Sequence, residues 1–172
     1  IYHAPFPGMA RLAHRTLLDR YAVDGAAAER SFSQKVEESL SFARRLGSCY
    51  GGSNFVCLLG LLVAARDTQR DDRVSLFSYG SGCQGEFYSA RLGPEAGERV
   101  RALEIGRHLD ERRRLTVEEY EGMEYARDRN VENGDFQPAR GSPAGGYEAL
   151  YEGRKLLVLQ KVQGHLRTYG WS

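Results

Sequence analysis

The sequence predicts a layered α/β protein, with helices packed against a mixed sheet. Three observations predict it. Apolar residues recur at helical spacing through the first third of the chain. Two β-like runs, Val74-Ser-Leu-Phe-Ser-Tyr and Glu86-Phe-Tyr-Ser-Ala-Arg-Leu, flank a glycine-bearing crossing. A further β-like run, Arg154-Lys-Leu-Leu-Val-Leu-Gln-Lys-Val, lies near the end. The order is helix, helix, helix, strand, strand, helices, strand, and Ile1-Tyr2 reads as the tail of another strand, so helices have a sheet to cover.

In chain order, Pro7-Gly8 opens a first helix, because proline suits the first helical position. Met9, Leu12, Ala13, Leu17 and Tyr21 then share one helix face. A second helix is expected over roughly Ser33 to Leu46, with Val36, Leu40 and Ala43 inward and Gly47 as its stop. The polar connection from Asp24 to Arg30 is compatible with helix as well. Ser53 suits an N-cap for an apolar helix reaching about Ala65. Arg66 to Arg73 reads as a charged turn before the first long strand, and the two β-like runs as a hairpin or adjacent pair. Residues 94–129 are charged and mostly helical, and Thr116-Val-Glu-Glu is a capping-box pattern opening the last helix there. Asn130 to Gly146 carries two Pro and four Gly and reads as a loop.

Length and composition bound the function classes. The 172 residues fit one domain or one half of a duplicated fold. The hydrophobic share of 41% supports a real core, and the net charge of +1 argues against a nucleic-acid field or an acidic disordered chain. The apolar run from Phe55 to Ala65 is only ~11 residues, too short to span a bilayer. Cys49, Cys57 and Cys83 have no framework spacing, which favours free thiols in a reducing, cytoplasmic setting. His3, His14, His108 and His165 are dispersed, so no metal-ligand cluster is legible. The absence of an initial Met, with the chain opening mid-strand, predicts that more protein precedes Ile1.

Three places could carry chemistry. His3 follows a strand end and precedes a proline and a helix, which would hold it at the carboxyl edge of a sheet. An imidazole can take and give protons and could act as a catalytic base, although taken alone His3 reads first as a surface or capping histidine. Tyr79-Gly80-Ser81-Gly82 follows an apolar strand, where glycines permit close backbone approach and N–H groups could form an oxyanion hole. An ordinary hairpin turn is the alternative. Gly47-Ser48-Cys49-Tyr50-Gly51-Gly52-Ser53 feeds a helix N-terminus, a setting that favours anions, or is simply a cap and linker. Cys57 belongs to the core, and Cys49 and Cys83 have no supporting neighbours as nucleophiles. Arg44-Arg45 and Arg112-Arg113-Arg114 read as solvated surface, since acidic residues are interleaved.

These pieces, taken in order, resemble the C-terminal half of 3-hydroxy-3-methylglutaryl-CoA synthases, most closely the bacterial branch that performs polyketide β-branching on acyl carrier proteins. The resemblance rests on Tyr2-His3-Ala4-Pro5-Phe6 before a helix, on the Gly47 loop and apolar helix, and on Leu157-Val-Leu-Gln-Lys-Val with Leu166-Arg-Thr-Tyr169. Its most specific part is Val74-Ser-Leu-Phe-Ser-Tyr-Gly-Ser-Gly-Cys-Gln-Gly-Glu-Phe-Tyr-Ser. It spans nearly the whole chain.

The resemblance implies that residues 1–172 form the C-terminal half of a thiolase-like fold, layered α/β/α/β/α in the complete enzyme. It implies a condensation in which a cysteine carries an acetyl group and a glutamate helps deprotonate it. The resulting carbanion attacks the β-ketone of an acetoacetyl thioester. Cysteine and glutamate belong to the family's N-terminal half, and nothing here matches either. His3 corresponds to the family histidine that orients the acetoacetyl group and assists proton transfer. Ser81, with Gly82 in the same turn, corresponds to the backbone N–H support for the acyl oxygen. Ser48 stands where the family has an asparagine, a shorter side chain with a single hydroxyl donor. No permanently bound cofactor is implied; phosphopantetheine thioesters, on acyl carrier protein or CoA, are the substrates. A homodimer is implied, with no nucleic-acid or membrane partner. The first turns after His3 carry Gly8, Met9, Ala10 and Leu12, with Arg11 the only cation where CoA-using members have lysines. That departure favours a carrier protein over CoA. The alternatives are the isoprenoid-precursor synthase of the same family, a ketosynthase of the same fold lacking its downstream His-Asn pattern, and a non-catalytic carrier-protein-binding module.

Overall fold

The expected strand tail at the start of the chain is an isolated β-bridge. In the structure, a computed structural model describing residues 1–64, 71–142 and 145–172, Tyr2 bridges Phe77 in parallel, and the His3 N–H donates to the Phe77 carbonyl at 2.7 Å. Phe77 lies in β1 (Arg73–Gly80), which pairs antiparallel with β2 (Gln84–Arg91) in register Phe77 with Phe87. The sheet of β1 and β2 is two-stranded and antiparallel, and the Tyr2 bridge is its one parallel contact among the described residues, so the mixed sheet that the sequence predicts is present only as this bridge. Val74 and Leu76 alternate inward along β1, as one buried face requires. The chain divides into two units, Ile1–Arg112 and Arg113–Ser172.

The first unit holds most of the helices. α1 (Pro7–Asp19) starts at proline as expected, but its buried residues are Ala10 and His14. Met9, Leu12, Leu17 and Tyr21, on the apolar face that the spacing predicts, are exposed. Polar partners explain the burial of His14. His14 Nδ1 meets the Tyr2 hydroxyl at 2.9 Å and Nε2 meets Ser31 Oγ at 3.1 Å, so both ring nitrogens are satisfied and the ring can be buried.

α2 (Gly25–Lys35) begins at Asp24, whose carboxylate accepts the Ala27 N–H. The helix expected over Ser33 to Leu46 is therefore displaced and broken. The backbone departs from helix at Val36, continues as a 3-10 turn (Glu37–Leu40) and resumes in α3 (Ala43–Leu46). Its inward residues Val36, Leu40 and Ala43 are buried as expected, since one stripe can face the core through both helix types. Gly47 stops α3 at φ 79°, a conformation that glycine adopts without a Cβ penalty. A 3-10 turn (Tyr50–Gly52) leads into α4 (Ser53–Ala64).

α4 buries Cys57, Gly60 and Leu62, while Phe55 is exposed, so the apolar helix is buried along a stripe rather than all round. Gly60 lies so close to the 3-10 turn that a Cβ there would sit 2.7 Å from the Ser39 carbonyl. Two apolar clusters result. Phe32, Leu40 and Cys57 anchor one; Leu62, Leu76 and Leu92 anchor the other; Ile1 packs on both. Of the charged turn expected over Arg66 to Arg73, residues 66–70 lie outside the described residues. α5 (Ala96–Ala102) and α6 (Ile105–Asp110) complete the unit. Arg44 pairs with Glu37 and Arg45 with Asp110, so that basic cluster is engaged structurally.

The second unit opens with α7 (Val117–Asp128). The Thr116 hydroxyl accepts the Glu119 N–H at 3.1 Å, and Glu119 accepts the Thr116 N–H at 2.8 Å, the reciprocal capping box that the sequence predicts. A short α8 (Tyr147–Leu150) follows the loop. β3 (Leu157–Gln163) then pairs antiparallel with β4 (Leu166–Trp171), and Phe136 bridges Val162. The expected single closing strand is therefore a hairpin, starting three residues later than Arg154. Its two-residue turn, Gly164-His165, has φ 55° and 62°, the positive pair that matches strand twist in a type I′ turn. Histidine is an uncommon second residue there, so the sequence carries no Asn-Gly or Asp-Gly signal for it. No helix among the described residues is long and apolar enough to cross a membrane.

Candidate active site

His3 follows the Tyr2 bridge, half-buried, its backbone fixed to β1 by the bond to the Phe77 carbonyl. Its ring is fixed from a different element. Ser53, at the first turn of α4, places Oγ 3.0 Å from His3 Nδ1, and the Ala4 N–H donates to the same Oγ at 3.4 Å. Ser53 is 1% exposed, so water does not compete for its hydroxyl. Its expected role as an N-cap is not what the structure has: Ser53 is already helical, and its side chain reaches across to the strand. Asn54, also 1% exposed, donates from Nδ2 to the Phe77 carbonyl at 3.1 Å, the same oxygen that His3 uses, while its Oδ1 is buried without a partner. The Tyr79 ring lies 6.5 Å from the His3 ring, centroid to centroid. His3 is thus held by strand, helix and aromatic neighbour together.

The glycine-bearing turn is the tip of the β1–β2 hairpin. Ser81, Gly82 and Cys83 form a three-residue loop, all exposed, with Cys83 in the left-handed region at φ 61°. The strained position falls on the cysteine and not on either glycine, which places the αL residue at the end of the loop as three-residue hairpins require. Ser48 is exposed in the segment between α3 and the next 3-10 turn. The structure therefore unites His3 with Ser53, Asn54 and Tyr79, keeps Ser81 and Gly82 at the end of the strand that pairs with His3, and puts Ser48 on the approach to α4. Ser53 and Asn54 were missed as site residues in the sequence. The available signal was two small polar residues beginning an otherwise apolar helix.

Thiol chemistry is distributed differently. Cys57 is fully buried, and burial pushes its thiol up to about 11, which keeps it protonated and inert at neutral pH. Cys83 is exposed and Cys49 half-buried. No group of three or more His, Cys, Asp or Glu side chains that could hold a metal ion occurs among the described residues. What the arrangement offers is a histidine whose Nδ1 side is occupied by a buried hydroxyl. Nε2 is the nitrogen left to meet a reacting group, as proton donor or acceptor.

Comparison with known proteins gives one consistent family. The profile described as "Hydroxymethylglutaryl-coenzyme A synthase C terminal" matches residues 12–168. A polyketide biosynthesis 3-hydroxy-3-methylglutaryl-ACP synthase of Bacillus subtilis is 36% identical over 178 residues, which cover 99% of this chain and 40% of that protein. A hydroxymethylglutaryl-CoA synthase of Enterococcus faecalis is 31% identical over 71% of this chain. Among solved structures, PksG, a HMG-CoA synthase from Bacillus subtilis, superposes with a TM-score of 0.84 at 32% identity. The curacin biosynthetic pathway HMG synthase in complex with holo donor-ACP does so at 0.84 and 28%. Each match covers 99% of this chain and 42% of the solved one, so the chain spans about two fifths of the length of these relatives. The thiolase-like fold expected from the resemblance is the fold of these structures.

Proposed function

This chain belongs to the hydroxymethylglutaryl-coenzyme A synthase family, and from that membership we propose that it is the C-terminal part of a condensing enzyme of polyketide β-branching. In this reading, residues 1–172 serve a cysteine nucleophile and a glutamate carried on a preceding half. The acetylated cysteine supplies a carbanion. That carbon attacks the β-ketone of an acetoacetyl or related thioester, and hydrolysis frees the product. His3 holds the acetoacetyl oxygen and assists proton transfer, the N–H groups of the Ser81–Gly82 turn support the acyl oxygen, and Ser48 offers a hydroxyl to the substrate. The protein acts in the cytoplasm as a homodimer, with phosphopantetheine thioesters as substrates and no permanently bound cofactor.

The observation that carries the reading is His3 with its Nδ1 held by buried Ser53, which leaves Nε2 as the nitrogen available to a reacting group. Preference for a carrier protein over CoA is supported by two facts. The relative with 36% identity is an ACP synthase. Arg11, the lone cation on the first turns of α1, pairs with Glu29 at 3.2 Å and lies 5.0 Å from the centre of the Phe32 ring, so it is already engaged.

The test is condensation by the complete protein with acetoacetyl-carrier protein and acetoacetyl-CoA, before and after His3→Ala. His3→Ala is expected to lower condensation by on the order of 100-fold or more, with acetyl transfer to the cysteine largely retained. Unchanged condensation removes His3 from the reaction. Equal turnover of both thioesters removes the carrier-protein preference.

A further inference from the structure

We propose that Ser53 sets the tautomer of His3, holding the neutral ring with its proton on Nε2, so that His3 meets substrate as a hydrogen-bond donor. The inference rests on the reading of His3 as the residue facing the acyl group, and it assigns a positioning role to a residue that does not itself touch substrate.

Counting protons at the Ser53 oxygen decides the direction. A hydroxyl has one proton to give and two lone pairs to offer. The Ala4 N–H can only donate, so it occupies a lone pair of Oγ. The serine proton must then go elsewhere, and at 1% exposure it does not go to water. His3 Nδ1, 3.0 Å away, is the remaining partner of that oxygen. If Nδ1 carried a proton and donated it to Oγ, the serine proton would be stranded in a buried site, a cost that native structures rarely bear. Nδ1 is therefore the acceptor, and in a neutral imidazole the proton resides on Nε2.

The geometry is not free to relax. The His3 N–H and Asn54 Nδ2 converge on one oxygen, the Phe77 carbonyl, at 2.7 and 3.1 Å. Strand and helix are tied together at the residue whose ring Ser53 holds. An imidazole fixed with Nε2–H does not take a proton at that atom; it gives a hydrogen bond to an oxygen that becomes negative, the role a carbonyl under attack requires. The base role that the sequence suggests for His3 becomes a donor role. The Ser53 hydroxyl is the cause.

The experiment is long-range proton–nitrogen NMR on the complete protein labelled at histidine, with His3 assigned by loss of its signals in His3→Gln. In the wild type Nδ1 is expected to appear as the unprotonated nitrogen and Nε2 as the protonated one. In Ser53→Ala the two tautomers are expected to mix, and kcat for condensation to fall about tenfold with KM little changed. Ser53→Thr, which restores a hydroxyl, is expected to recover both signals. A wild-type His3 protonated at Nδ1, or Ser53→Ala with wild-type kcat, overturns the proposal. If His3→Ala retains condensation while the spectrum has Nε2–H, the functional reading of His3 fails and the assignment of Ser53 stands, so the two failures are distinct.

Discussion

At His14 a charged-type residue occupies a buried position because both ring nitrogens have hydroxyl partners, Tyr2 and Ser31. Burial, reinforced by the positive charge of Lys35, holds its pKa below the ordinary value. A lowered pKa in the folded state means that the fold favours the neutral ring. The stabilisation is complete above the unfolded value of about 6.5 and is lost as pH falls through the lower folded value. The urea midpoint is expected to decline over that acidic window, and His14→Gln, which does not titrate, is expected to flatten the decline. An unchanged slope would exclude His14 as its source. The sequence singles out His3 as a candidate but gives no sign of the hydrogen-bonded roles of His14, Ser53 and Asn54. Their partners lie 12, 17, 50 and 23 positions away along the chain, beyond any local pattern.

Among the elements, those specified by contiguous residues were the legible ones. Pro7 starts α1, Gly47 ends α3, and the Thr116 to Glu119 box starts α7, each through groups within a few positions. Thr116→Ala is expected to lower stability by about 1 kcal/mol, with Thr116→Ser near wild type. Denaturant unfolding with α7 followed by amide exchange reads it, and equal stability of all three would mean that the cap is dispensable. Elements whose limits depend on packing were misread. The long helix expected from Ser33 breaks at Val36, because its inward stripe is continued by a 3-10 turn that meets Gly60 of α4. For α1, helical periodicity identifies an apolar stripe without saying what covers it.

Across the whole molecule, burial is uneven. The buried apolar residues among those described lie in Ile1–Arg112, apart from Val162. Protection from amide exchange is therefore expected to peak in α4 and β1 and to be weaker throughout Arg113–Ser172. Equal protection in both units, read by mass spectrometry of the complete protein, would contradict this. The sequence by itself determined the α/β class, the order of most elements, the helix starts and stops that local caps encode, and the family, because each rests on residues near one another in the chain. Tertiary structure alone decided which face of α1 is buried, the Gly164-His165 hairpin, and the bond from Ser53 to His3. These depend on which distant groups meet, where a buried polar atom must find its partner whatever the sequence between them.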